Sequence, residues 1–148
     1  MQGFAIAALL GLAWLGPAPP ASAQQASEEA AVRKPLEAYL QGHATGDARY
    51  MRQAFLPTAH VEGIRDGRFL SRTVDEYIAG FKGSPAPDEA QRRRSIDQVD
   101  VNGDAAMARV TLAYPSGSFT DYFVLLKVDG EWKIANKVWT RNPGPASP

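Results

Sequence analysis

After the loop from Ser84 to Ala90 the apolar pattern of this chain changes from a helical period to strict alternation, and it does not change back. Four alternating stretches follow: Arg92 to Val101, Ala105 to Tyr114, Phe119 to Val128 and Glu131 to Arg141. Asn102-Gly103 and Asp129-Gly130 separate two pairs of them, and such dipeptides favour two-residue hairpin turns because they tolerate positive φ at both central positions. Pro115 to Ser118 makes a longer connection. Strands joined in this way form an antiparallel meander, so the second half of the chain is a sheet that needs a cover.

The cover is written in the first half. Val32, Leu36, Tyr39, Leu40 and His43 form one helical stripe, with Pro35 inside it removing a backbone donor. The spacing predicts a firm helix over Pro35 to Ala44, stopped by Gly46. Asp47 then caps a second helix striped by Met51, Ala54 and Phe55 and ended by Pro57. Ala59 to Ile64 and Arg68 to Ser71 read as a strand pair across the turn Arg65-Asp66-Gly67. Thr73 and Glu76 form a capping box for a third helix striped by Val74, Tyr77, Ile78 and Phe81 and closed by Gly83. The expected fold is therefore α+β: three N-terminal helices packed on a curved, mainly antiparallel sheet. With 148 residues there is room for one such core and no second domain.

A two-residue turn at Asp129-Gly130 pairs Val128 with Glu131. Counting outward sets Leu125 opposite Ile134, Phe123 opposite Asn136 and Asp121 opposite Val138. One face then carries Asp121, Phe123, Leu125, Trp132, Ile134, Asn136 and Val138, while the other carries Tyr122, Val124, Leu126, Ala135, Lys137 and Trp139. The Trp132 face is expected to be interior, where its two polar groups, Asp121 and Asn136, need partners. The opposite face is also apolar, and Tyr122, Val124 and Trp139 on it suggest a homodimer interface.

The ends read differently from the middle. Phe4 to Leu15 is apolar, Gly16-Pro17 breaks it, and Ala21-Ser22-Ala23 provides an A-x-A site, so residues 1–23 read as a secretory signal peptide cleaved after Ala23. The domain is expected over 24–141, in the periplasm or secreted, with 142–148 a disordered tail rich in Pro and Gly and no membrane attachment once the signal is removed. The absence of cysteine excludes disulfides, thiolate metal sites and lipid attachment through a cysteine. Sixteen basic residues balance sixteen acidic ones, so no global field recruits nucleic acid or an anionic surface. The densest run, Arg92 to Arg94, reads as a solvated strand end, with an anion-binding rim as the other reading.

The order of elements, with the Gly46-Asp47 corner and the closing run DYFVLLKVDGEWKIANKVW, resembles the nuclear-transport-factor-2-like superfamily. YLQGHATGDARYMRQAFLPTAHVEGIRDG is similar to its branch labelled putative lumazine-binding, of unknown function. The resemblance implies a cone with the sheet curved around the first helix. It also implies a range of roles, from ketosteroid isomerase and polyketide cyclases to modules that only bind or dimerise. Members acting without a cofactor place an aspartate or histidine in the cone as a proton carrier, and Asp121 and His60 are the matching positions here. The phenol partner typical of ketosteroid isomerase is not identifiable from the sequence.

The sequence thus suggests an exported protein binding an unknown small molecule inside the cone, lined by Tyr39, His43, Phe55, His60, Tyr77, Phe123 and Asn136. The alternative is a lyase, isomerase or cyclase that needs no cofactor and uses His60 or Asp121 to move a proton. A third reading is a dimeric interaction module whose cone is packed solid. His43 also suits a structural place at a helix C-terminus, and His60 and Asp121 have structural readings as well. Two histidines seventeen residues apart, with Glu62 as the nearest carboxylate, make no recognisable metal set, so no metal is expected.

Overall fold

The computed structural model describes residues 20–144. Most of the expected signal peptide, and the end of the expected tail beyond 144, lie outside the described residues. A helix α1 (Ala21–Thr45) leads into α2 (Ala48–Ala54), then a hairpin of β1 (His60–Arg65) and β2 (Arg68–Thr73), and α3 (Val74–Ile78). The meander β3 (Arg93–Asn102), β4 (Ala105–Tyr114), β5 (Gly117–Val128) and β6 (Glu131–Pro143) completes the chain. The six strands form one sheet in the order β2-β1-β6-β5-β4-β3, antiparallel except where β1 runs alongside β6. This is the α+β cone that the period switch and the turn signals imply.

Local chemistry fixes the corners. Gly46 ends α1 in the left-handed region at φ 70°, and its missing Cβ matters twice, since a methyl there would stand 2.0 Å from the Ser84 carbonyl oxygen. Asp47 accepts the Arg49 amide as the cap of α2, and the Thr73–Glu76 capping box is formed at α3. The first helix starts earlier than expected and runs through Pro35 unbroken, since its apolar stripe of Val32, Leu36 and Tyr39 is wholly buried against the sheet. That burial outweighs one missing amide bond. The last strand reaches Pro143, past the expected boundary at Arg141, because Asn142 and Pro143 still pair with Ser118 and Gly117.

The main correction concerns β6. Val128 pairs with Glu131 and Leu125 with Ile134, as the hairpin spacing predicts, but Val124 then pairs with Asn136 and Phe123 with Lys137. Ala135 is the extra residue of a β-bulge. From there on every side chain of β6 lies on the face opposite to the one that unbroken alternation assigns. Lys137 turns inward and is 4% exposed, whereas Val138 turns outward and is 44% exposed. Trp139 likewise packs against the core, its indole lying so close over Gly63 that a Cβ there would be 2.3 Å from Cε2. Trp139 therefore does not belong to the outer face, and Asn136 does not belong to the interior. The outer face instead presents Met107, Tyr122, Val124, Leu126 and Val138, all exposed.

Candidate functional site

Three elements bring polar groups into the middle of the cone. Tyr39 comes from the buried stripe of α1, Asp121 from β5 and Lys137 from β6 beyond the bulge. The Tyr39 hydroxyl donates to Asp121 Oδ2 at 2.6 Å, and Lys137 Nζ donates to the Tyr39 oxygen at 2.8 Å. Nζ also lies 3.2 Å from Asp121 Oδ1, an ion pair between side chains 5% and 1% exposed. Apart from this ion-pair contact the buried Oδ1 has no hydrogen-bond partner among the described residues. A buried carboxylate oxygen without an aligned donor is costly unless something else fills the place.

The polar chain continues outward. Tyr77 Oη is 3.5 Å from the Tyr39 oxygen and 2.8 Å from His43 Nε2. The His43 ring is packed edge-on to Tyr39 and Phe81. Burial, reinforced by the Lys137, Arg94 and Arg92 charges, holds His43 well below the usual histidine range, so it is neutral here. Burial raises Tyr39 well above the ordinary phenol value, with Tyr77 and Asp121 adding to the shift, and burial raises Tyr77 too. Burial also lowers Lys137, opposed by the pull of Asp121. The network holds one carboxylate, one ammonium, two phenols and one neutral imidazole within hydrogen-bond reach of one another.

A cavity of about 210 Å³ opens beside it. Tyr39, His43, Tyr77, Asp121 and Lys137 form its polar wall, Val61, Leu70, Leu112, Tyr114, Phe119 and Trp139 its apolar one, and Arg65 and Arg72 its remaining charges. Phe55 and Phe123 lie behind it, buried 6.0 and 5.0 Å from the Tyr39 ring, as core rather than wall. His60 points to the outer face and is exposed, and its amide donates to the Asn136 side chain at 2.9 Å. Asn136 in turn donates to Glu62 at 3.2 Å, so both residues belong to a polar cluster on the opposite side of the sheet. His60 and Asp121 do not meet.

The residues missed are the charged Lys137, Arg65 and Arg72 and the whole apolar wall, Trp139 included. Arg92 and Arg94, the run that stood out in the sequence, are matched by Asp88 and Glu89, and Arg94 also donates to the His43 carbonyl at the end of α1. Among the described residues no three His, Asp or Glu side chains gather as a metal ion would need, and no helix is long and apolar enough to cross a membrane.

Solved structures of the same shape define the class. A nuclear-transport-factor-2-like protein of unknown function from Shewanella baltica is 28% identical, with a TM-score of 0.72 over 80% of this chain and 97% of that one. Another from Silicibacter pomeroyi is 26% identical, with a TM-score of 0.70 over 79% and 98%. The chain thus has the nuclear-transport-factor-2-like fold. Within that superfamily it belongs to the family described as "Putative lumazine-binding", which it matches over residues 27–140. A protein of Cladobotryum named aldolase FrzH is 21% identical over 117 residues, covering 79% of this chain and 94% of that protein.

Two measurements check the network. Removing either charge strands the other in the core, so Lys137→Met and Asp121→Leu should each cost about 3–5 kcal/mol in urea unfolding, and the double variant should recover most of that loss. A double variant as unstable as the sum of the two single ones would show that the charges do not meet. His43 titrates lower in the folded than in the unfolded chain, so below about pH 6.5 unfolding takes up a proton and stability falls as the pH drops, by at most about 1.4 kcal/mol per unit. The difference between wild type and His43→Gln, both of which keep His60, should carry that slope; parallel pH profiles would refute it.

Proposed function

We propose that the protein is an enzyme that needs no cofactor and moves a proton at the carbon beside a carbonyl group of a small molecule held in the cone. The observation carrying this reading is the buried Asp121 in the cavity wall, ion-paired through Lys137 but with Oδ1 free of hydrogen bonds. Asp121 takes the proton, the C–H electron pair moves onto the carbonyl oxygen, and the Lys137 ammonium stabilises the enolate. Asp121 then returns the proton to a different carbon conjugated with the enolate, an isomerisation, or the enolate carbon adds to a second carbonyl and the new alkoxide receives the proton from Asp121. The similarity to a protein named an aldolase supports carbonyl chemistry of this class. Of the two candidate carriers, this reading takes Asp121, beside which stand Lys137 and Tyr39, and leaves His60 without a part. A second reading, a binding protein that presents the same polar wall without turnover, is favoured by the distance of His60 from Asp121 and by the family description.

Deuterium exchange at the carbon next to the carbonyl, followed by NMR for a panel of small ketones in heavy water, separates the two. Wild type should exchange at least one of them, and folded Asp121→Asn should lose about 10²–10⁴-fold of that rate. Retention of a ligand with no exchange would favour binding alone.

The leader ending in Ala23 supports export to the periplasm or beyond, and cleavage there would trim only the start of α1. The corrected outer face supports a homodimer, since Tyr122, Val124 and Leu126 of β5 stand beside Met107 of β4 and Val138 of β6, each between 39% and 52% exposed. Native mass spectrometry of the exported protein should give a dimer of chains beginning at Gln24, and Val124→Glu should give a monomer. A Val124→Glu dimer would move the interface elsewhere.

A further inference from the structure

The hairpin of β1 and β2 borders the cavity and carries three arginines that no carboxylate matches among the described residues. Arg72 pairs with Val61 across the ladder and Arg65 with Arg68, so the buried Val61 sets the inward direction for all three arginines. Arg65 and Arg72 line the cavity, and Arg65 lies over the Trp139 indole at 5.5 Å, an arrangement open only because Gly63 leaves room for the ring. Among the described residues none of the three arginines makes an ion pair, whereas Arg92 and Arg94 are both matched. Of the carboxylates near them, Glu62 is engaged with Ser71 and Asn136 on the outer face and Glu76 in the capping box, while Asp66 in the turn itself makes no ion pair with any of the three.

Like charges facing each other across a ladder are unfavourable, and Arg65 opposite Arg68 is such a pair. Counting the cavity wall, the cations Arg65, Arg72 and Lys137 stand against the single carboxylate of Asp121, three positive against one negative. Lys137 is already committed to Asp121, so the surplus lies at the hairpin. A guanidinium offers a planar fork of donors that fits a carboxylate. The volume, below the ~300–1,000 Å³ of sites for drug-sized ligands, limits the guest to a small one.

We infer that Arg65 and Arg72 form a carboxylate-binding clamp at the mouth of the cone, so that the molecule taken up is a small carboxylic acid carrying a carbonyl group. This rests on the proposed use of the same cavity for carbonyl chemistry. The clamp holds the fixed charge at the hairpin, and that orientation turns the carbonyl end toward Lys137 and Asp121. Two cationic places suit two negative charges, one permanent and one that develops during proton removal.

Benzoylformate and its neutral primary amide, in which an amino group replaces one carboxylate oxygen, have no C–H beside the ketone, cannot turn over, and make a matched pair of probes for calorimetry. Wild type should bind the acid at least ~10-fold more tightly than the amide, as expected for one charge-assisted bond, and added salt should shrink the difference. Arg65→Gln with Arg72→Gln, both on exposed hairpin positions, should bind the two probes alike. Equal affinities in wild type, with the amide lost on Lys137→Met, would overturn the clamp and leave the carbonyl site standing. Failure of wild type to bind either probe would overturn both.

Discussion

The ion pair of Lys137 with Asp121, closed by the Tyr39 hydroxyl, is the contact on which the rest of this cone depends. It ties α1 to β5 and β6 at the point where the sheet curves around the helix. Taking two charges out of water is expensive, and their attraction repays that cost only in good geometry with further hydrogen bonds. Tyr39 supplies one such bond to each partner, but Oδ1 is left without an aligned donor. A core built for stability alone would place apolar residues there at little or no loss. Charges kept at that cost beside an open cavity are what the proposed proton chemistry rests on.

That contact exists because of one extra residue. Without the bulge at Ala135, Lys137 would face outward and Asn136 inward, and Asp121 would sit opposite Val138 with no cation near it. The bulge also turns Trp139 inward over Gly63, which positions the indole beneath Arg65. A single irregularity in the ladder thus sets the polar wall, the apolar wall and part of the mouth together.

The architecture was legible because it is carried by strong local signals. Gly46-Asp47, Thr73 with Glu76, and Asp129-Gly130 each specify a backbone geometry that tertiary contacts have no reason to override. The site was legible only in part. Tyr39, His43 and Tyr77 fall on helical stripes whose phase is fixed, and all three line the cavity, but the partners on β6 depend on strand parity, which an unseen bulge inverts. Periodicity offered no warning, since both faces of β6 are apolar and Asn136-Lys137 is polar on either count. The available clue was electrostatic: an inward Asp121 required a cation, unbroken alternation supplied only an amide, and shifting β6 by one residue brings Lys137 to the right face. His60 was misjudged for the mirror reason. Its neighbour Val61 is the buried residue of β1, and alternation about Val61 sends His60 and Glu62 outward together.

Overall neutrality also concealed how charge is arranged. Sixteen charges of each sign suggest no preference for an anion, yet pairing is unequal across the surface. Most of the acidic groups near arginines are used: Asp47 with Arg49, Asp75 with Arg52, Asp88 with Arg92, Glu89 with Arg94. Among the described residues, three of the arginines without an ion pair stand together on the inward side of one hairpin, and two of them line the cavity beside its apolar wall. In the proposed reaction the two cationic regions would have different tasks. Arg65 and Arg72, exposed at the rim, would hold a charge that is always present at modest cost. Lys137, dehydrated and leaning on Asp121, would gain most from a charge that appears beside it only once Asp121 has been neutralised by the proton it takes up. Proton removal would then leave the ammonium without its counter-ion, and the enolate oxygen would replace the lost carboxylate charge in the same step.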